Sequence, residues 1–134
     1  MSQFAGSLDA NIVLRTLLND IPDQNQAALK LLGSTDKQFA VADVALIEVG
    51  FVLERFYHFD RTQIVEVITA FMLQSQINCN RVLFDRALEI FQSHPALNLE
   101  DCCLAVYSEL NNAAPLYTLD KKLAKQVQTA QLLV

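Results

Sequence analysis

The sequence predicts an α/β fold in which a small parallel sheet lies between two layers of helices. Short apolar segments typical of buried strands alternate with longer segments of helical periodicity over the 134 residues. Three glycines and three prolines are too few for the many turns of an all-β protein. Because alternating strands and helices form βαβ units, we expect a parallel sheet covered on both faces. The hydrophobic fraction of 52% is sufficient for a core, so a single domain over residues 1–134 is predicted.

The predicted strands are short apolar segments, and the predicted helices are longer segments with apolar residues three or four positions apart. In chain order, strands are predicted over residues 4–8, 38–41, 77–79, 115–119 and 130–134. Helices are predicted over residues 11–18, 22–32, 43–57, 61–73, 81–94, 99–111 and 120–127. Leu14, Leu17 and Leu18 are expected to face inward from the first helix, and Val82 is expected to do so from the fifth.

Several helix ends carry recognisable signals. Pro22 suits the first turn of the second helix, and Gly33 suits the position just after its end. Asp43 is predicted to cap the third helix. Pro95 closes the fifth helix, and the pair of asparagines at 111–112 ends the sixth.

Composition narrows the class of protein. No apolar segment is long enough to span a bilayer, and the first residues lack the pattern of an export signal. Cys79, Cys102 and Cys103 are odd in number and form no CxxC motif, so neither a disulfide framework nor a zinc or redox motif is expected. A cytoplasmic protein without a membrane segment is therefore predicted. The net charge of −5 argues weakly against broad electrostatic binding of nucleic acid.

Four acidic residues stand out by their positions. Asp9 and Asp120 follow predicted strands, Asp101 begins a predicted helix, and Glu48 interrupts an apolar segment. An isolated charge in apolar surroundings costs several kcal/mol unless it is paired or binds a metal ion. Clusters of carboxylate oxygens suit hard cations such as Mg²⁺ or Mn²⁺. The sequence therefore predicts a metal site formed by these four acids.

Each of these residues also has an ordinary structural interpretation. Asp9, Asp101 and Asp120 could each cap a helix, and Glu48 could face solvent from a partly exposed helix. His58 and His94 form no HxxxH spacing, so they are expected to be structural and zinc is not expected.

Two polar residues lie close in sequence to the acids, and a basic segment follows the last one. Asn11 either helps to hold Asp9 or caps the helix locally. Thr118 either orients a carboxylate or reflects the preference of threonine for strands. The segment that contains Lys121, Lys122 and Lys125 is either a solvated helix face or a contact for phosphates.

Four segments in the same order resemble the PIN domain, most closely the ribonuclease toxins of VapBC-type toxin–antitoxin pairs. They are LDANIVLRTLL, VADVALIEVGFVLERFY, LEDCCLAVY and APLYTLDKKLAK. The resemblance implies an α/β/α sandwich with a parallel sheet of about five strands. It also implies that Asp9, Glu48, Asp101 and Asp120 converge to bind Mg²⁺ or Mn²⁺ and act as an endoribonuclease site. The family commonly has Thr or Ser where this sequence has Ala10.

The resemblance further implies an RNA substrate, a small antitoxin partner and a homodimer. The long apolar segments 44–57 and 64–73 favour such an interface, since they offer more apolar surface than a small domain buries. In phosphodiester hydrolysis the metal ions lower the pKa of the attacking water and neutralise charge on the phosphate. Two alternatives remain: a non-catalytic PIN-like binding module, and another Mg²⁺-dependent phosphohydrolase on a doubly wound sheet. A haloacid-dehalogenase-like phosphatase would require a second aspartate at the position of Asn11.

Overall fold

The computed structural model describes residues 4–33 and 36–134. Within these residues the chain forms seven helices and five short strands, which confirms a mixed α/β class. The chain divides into two compact units, Met1–Asn80 and Arg81–Val134. The PIN-like arrangement and the single domain stay predictions. No helix in the described part of the chain is long and apolar enough to cross a membrane.

The first unit contains a three-stranded parallel sheet and four helices in its described residues. In chain order these are β1 (Gly6–Ser7), α1 (Ala10–Leu17), α2 (Pro22–Leu32), β2 (Phe39–Ala40), α3 (Asp43–Phe56), α4 (Arg61–Met72) and β3 (Ile77–Asn78). The strand order is β1-β2-β3, and Phe39 of β2 lies opposite Gly6 on one side and Ile77 on the other. The carboxyl ends of all three strands therefore lie at the same edge of the sheet.

The helices of the first unit pack through apolar faces, with α1 against α2 and α3, and α3 against α4. Their buried side chains include Val13, Leu14, Leu46, Val49, Leu53, Ile64, Ile68 and Phe71. The expectation for α1 is met in part, because Leu14 is buried whereas Leu17 and Leu18 are half-buried. Pro22 begins α2 as predicted, whereas Gly33 is the C-cap in a right-handed conformation and not the residue just beyond the cap. Asp43 is the first residue of α3 and Ala42 is its N-cap, so the predicted cap is wrong by one position.

The second unit contains α5 (Arg81–Ser93), α6 (Leu99–Leu110), β4 (Leu116–Thr118), α7 (Lys121–Gln126) and β5 (Ala130–Leu132). Strands β4 and β5 are parallel, with Leu116 opposite Ala130 and Thr118 opposite Leu132. The two helices α5 and α6 pack against each other. Phe84, Leu88 and Phe91 of α5 and Cys102, Cys103 and Val106 of α6 are all buried.

Two expectations are corrected here. Val82 is 64% exposed rather than inward-facing, because the buried face of α5 runs through Leu83, Phe84 and Ala87 instead. The five strands found in the described residues form one sheet of three and one of two, not a single hydrogen-bonded sheet of about five. Cys102 and Cys103 are buried in the core as small apolar side chains.

Candidate acidic site

Asp9 lies where β1 turns into α1, and its side chain caps that helix. Its Oδ1 accepts a hydrogen bond from the backbone N–H of Ile12 at 2.9 Å. Such a bond satisfies one of the free amides in the first turn of a helix. The capping interpretation is thus confirmed for Asp9, whose side chain is exposed.

The carboxyl edge of the three-stranded sheet carries further polar groups beyond Asp9. Asp43 comes shortly after β2, and Asn80 follows β3 after Cys79. The Asn80 Nδ2 donates to Asp43 Oδ2 at 3.5 Å. Ligands of open parallel sheets bind at this edge. The predicted site residues do not include Asp43 and Asn80, although their positions just after predicted strands are the signal that could have found them.

Glu48 lies in the middle of α3 and is exposed. Its neighbours on the same face, Val44 and Phe51, are themselves 72% and 52% exposed. The inference that Glu48 sits in buried apolar surroundings is therefore wrong, and the solvent-facing interpretation is confirmed. Because Glu48 is exposed, its charge does not need a metal ion to compensate for burial. Its role as a metal ligand stays a prediction that the resemblance implies.

Asp101 lies in the first turn of α6, but it is not the cap. Asn98 is the N-cap, and its side-chain oxygen accepts from the backbone N–H of Asp101 at 2.8 Å. The capping interpretation of Asp101 is therefore wrong, because an equally good cap lies three residues before it. Asp101 is half-buried at this position.

The environment of Asp101 disfavours its charged form. Burial raises the pKa of the Asp101 carboxyl above its ordinary value, and the negative charges of Asp120 and Glu100 raise it further. A hydrogen bond from the backbone of Asn98 opposes this rise in pKa, but it is outweighed. Asp101 and Asp120 thus repel each other from α6 and from the end of β4.

Asp120 caps α7 and is held by Thr118. The Asp120 Oδ1 accepts from the backbone N–H of Lys122 at 2.8 Å and from that of Leu123 at 3.3 Å. Thr118 Oγ1 accepts from the backbone N–H of Asp120 at 3.0 Å. The capping interpretation of Asp120 is confirmed. Thr118 holds the backbone N–H of Asp120 and not its carboxylate, and it lies in β4 as its preference for strands predicts.

Asn11 is exposed in the first turn of α1, where it borders a groove between α1 and α2 that Ile12, Arg15 and Leu31 also line. Its proposed support of Asp9 stays a prediction. His94 Nδ1 lies 3.0 Å from the carbonyl oxygen of Ile90 at the end of α5, which agrees with a structural role.

The chemistry of the four predicted ligands fits a hard cation. All four are carboxylates, and none of them forms an ion pair in the part of the chain that the structure describes. The repulsion between Asp101 and Asp120 is of the kind that a bound divalent cation relieves. No group of three or more metal-ligating side chains lies close together among residues 4–33 and 36–134.

No protein-family model matches the sequence, and no curated protein matches it significantly.

Proposed function

We propose that the chain is a Mg²⁺- or Mn²⁺-dependent endoribonuclease of the PIN-like toxin type. Asp9, Glu48, Asp101 and Asp120 are its proposed metal ligands, with Asn11 and Thr118 as supporting residues. The proposal rests on the resemblance of four segments in the same order. Independent support comes from the second unit, where burial and the charge of Asp120 raise the pKa of the Asp101 carboxyl.

The pair formed by Asp101 and Asp120 is the observation that carries the proposal. Burial and then the charge of Asp120 raise the pKa of the Asp101 carboxyl, and carboxyls with perturbed pKa values are concentrated at functional sites. No cationic side chain pairs with either carboxylate in the described residues. A divalent cation supplies the missing positive charge.

Each residue of the proposed site has its own role in RNA hydrolysis. A bound metal ion would lower the pKa of a water molecule and neutralise charge on the phosphate. Asp101 and Asp120 would hold it in the second unit, and Thr118 positions the backbone at Asp120 through its 3.0 Å hydrogen bond. Asp9 and Glu48 are proposed as further ligands on the resemblance alone. We therefore propose hydrolysis by water without a covalent enzyme intermediate.

Partners are proposed on the same resemblance. We propose that the chain forms a homodimer and is inhibited by a small antitoxin with basic residues facing the acids. Exposed apolar side chains on α3, namely Val44, Phe51 and Phe56, support a protein interface. A cytoplasmic location is part of the same proposal.

The test is cleavage of a labelled structured RNA with Mg²⁺, with Mn²⁺ and with EDTA. We expect metal-dependent cleavage that falls by about 10²-fold or more in Asp9→Asn, Glu48→Gln, Asp101→Asn and Asp120→Asn, since each removes charge stabilisation from the site. Each variant is first checked for an unchanged circular dichroism spectrum.

Matched controls are Asp85→Asn on α5 and Glu66→Gln on α4, two exposed acids outside the proposed site. Both controls should cut RNA at the wild-type rate. Undiminished cleavage in EDTA or in Asp101→Asn contradicts the proposal. Hydrolysis of phosphate monoesters in place of RNA indicates a phosphohydrolase instead, and metal binding without any hydrolysis indicates a binding module.

A further inference from the structure

The charge of this acidic protein is unevenly distributed. The whole chain has 10 Lys and Arg residues against 15 Asp and Glu residues. Residues 121–134, by contrast, contain three lysines and no acidic residue. These lysines are Lys121, Lys122 and Lys125, all exposed and all on α7. The end of the chain is therefore a local basic surface on a protein of opposite net charge.

None of the three lysines of α7 has an ionic partner among the described residues. The ion pairs in this part of the chain join Arg15 to Asp20, Arg61 to Glu54 and Arg86 to Glu109. None of them includes a lysine of α7. The three ammonium groups are thus available to an anion from outside the chain.

The geometry of α7 places these charges together. Leu123 is 2% exposed and packs inward. Lys121 and Lys125 are four residues apart, so they lie on the same side of the helix, away from Leu123. Lys122 flanks them. A compact row of positive charges therefore faces solvent.

The placement of Lys121 and Lys122 does not help the helix, whereas Lys125 lies in its last turn, where positive charge is favourable. Lys121 and Lys122 are the first two residues of α7, where the helix dipole disfavours positive charge. Lys121 and Lys125 are like charges four residues apart, which is also unfavourable. Local features that oppose stability are expected where a function requires them.

An exposed aromatic side chain lies on the neighbouring strand. Tyr117 in β4 is 59% exposed, while Leu116 and Thr118 on either side of it are half-buried. Strand β4 packs against α7, and Asp120 lies between the two elements. A ring that can stack on a base and lysines that can bind phosphates, carried by two elements that pack together, are the combination used for single-stranded nucleic acid.

We propose that Lys121, Lys122, Lys125 and Tyr117 form a surface that binds single-stranded RNA. The lysines contact phosphates and the Tyr117 ring stacks on a base. The inference rests on the proposed nuclease function, because this surface would present the RNA backbone to Asp120. The positive charges of the lysines would also attract RNA, a polyanion, although the net charge of the protein is negative.

The test is fluorescence anisotropy with a short labelled single-stranded RNA in EDTA, over a series of salt concentrations. We expect Lys121→Gln/Lys125→Gln to bind about 10-fold more weakly at low salt. The slope of log affinity against log salt should also shrink by about 0.7 for each phosphate that the variant no longer binds. Tyr117→Ala should weaken binding by about 10-fold without changing that slope, because stacking is not ionic.

The matched control is Lys30→Gln/Lys37→Gln, which removes the same charge from two exposed lysines of the first unit. It should bind RNA as the wild type does. Thermal melting checks folding, and the removal of like charges from α7 should not lower the melting temperature. Equal weakening in both double variants, or none in either, overturns the proposal. Two further results overturn the proposal. One is that duplex RNA binds as tightly as single-stranded RNA and Tyr117→Ala has no effect. The other is that the protein binds anionic lipid vesicles in place of RNA.

Binding in EDTA is independent of cleavage, so the two proposals can fail separately. If RNA is cut with Mg²⁺ but the α7 variant binds it normally, this surface is wrong and the nuclease stands. If RNA binds through α7 but no metal supports cleavage, the nuclease is wrong and the surface stands.

Discussion

Asp101 shows how one side chain is subject to opposing local effects. Its position in the first turn of α6 suits a negative charge, and the backbone of Asn98 hydrogen-bonds its carboxylate. Burial and the charge of Asp120 act in the other direction and prevail, so its pKa is raised. A carboxyl with a raised folded-state pKa stabilises the fold most below its ordinary pKa. That stability is lost as the pH rises through the folded-state value.

We therefore expect Asp101→Asn to raise the melting temperature in EDTA at pH 7. The rise should be about 1 to 3 °C, because solvent screening at a half-buried site keeps the gain well below 1 kcal/mol. The difference should disappear as the pH falls below the ordinary aspartate range. With saturating Mg²⁺ the wild type should gain more stability than the variant, because a ligand stabilises the state that binds it.

Asp85→Asn is the control for this prediction, since Asp85 is exposed on α5 in the same unit. Its melting temperature should differ little from that of the wild type in EDTA. A control sample with sodium chloride at the ionic strength of the Mg²⁺ sample distinguishes Mg²⁺ binding from general screening of the charges. A lower melting temperature for Asp101→Asn in EDTA would mean that the helix-dipole interaction outweighs the repulsion at this position.

Among the secondary-structure elements, helix ends are what the sequence predicts best, because their signals are local. Pro22 begins α2 where its position in the sequence predicts. A capping box of Asp60 and Gln63, a signal of the same local kind, begins α4. The sequence fails where two good caps lie within one turn. Asn98 and Asp101 both suit a cap, and the choice between them depends on how α6 packs.

A buried arginine joins three elements of the first unit. The Arg15 side chain on α1 is 10% exposed and donates to Asp20 at 2.8 Å and to the Tyr57 hydroxyl at 3.2 Å. The Tyr57 hydroxyl in turn donates to Asp20 at 2.6 Å. This triangle ties α1, the connection to α2 and the end of α3. The hydrogen bond from Tyr57 is the main cause that lowers the pKa of Asp20. Desolvation opposes it, and the charge of Arg15 lowers the pKa further, so that the pKa stays below its ordinary value.

We expect Tyr57→Phe to destabilise the fold by about 1 kcal/mol at pH 7, because it removes the hydroxyl that contacts both charged partners. Urea unfolding measures the change. A depressed aspartate pKa stabilises the fold above the ordinary value of 3.8, and this stability is lost as the pH falls through the folded-state value. The difference between variant and wild type should therefore shrink in acid.

Tyr107→Phe is the matched control, since Tyr107 is 57% exposed and its hydroxyl has no hydrogen bond in the described residues. It should unfold at the wild-type urea concentration. Equal unfolding of the two tyrosine variants at pH 7 would show that the Arg15 triangle adds nothing to stability.

At the scale of the whole molecule, the sequence predicts the order of elements but not which of them pair. Strand pairing joins residues far apart in sequence, so the sequence predicts a single sheet where the described ladders contain three and two strands. The sequence also does not predict that Glu48 is exposed, because exposure depends on how the helix packs. Helix α3 has apolar side chains on both faces, so its sequence does not reveal which face meets solvent.

The apolar outer face of α3 leads to the last prediction, a homodimer. Val44, Phe51 and Phe56 are 72%, 52% and 64% exposed, and the two phenylalanine rings meet edge to face with centroids 6.3 Å apart. Burial of such side chains is favourable by roughly 25 cal/mol per Å² of apolar surface. Light scattering at micromolar concentration should therefore give the mass of two 15.0-kDa chains.

Phe51→Ser should reduce that mass to one chain, because it removes the central ring of this face. Leu29→Ser is the control, since Leu29 is equally exposed at 50% but lies on α2. It should remain dimeric. A monomeric wild type contradicts the homodimer itself. A dimer that survives Phe51→Ser but dissociates in Leu29→Ser would place the interface on α2, where the side chains of Ile21 and Leu31 are also exposed.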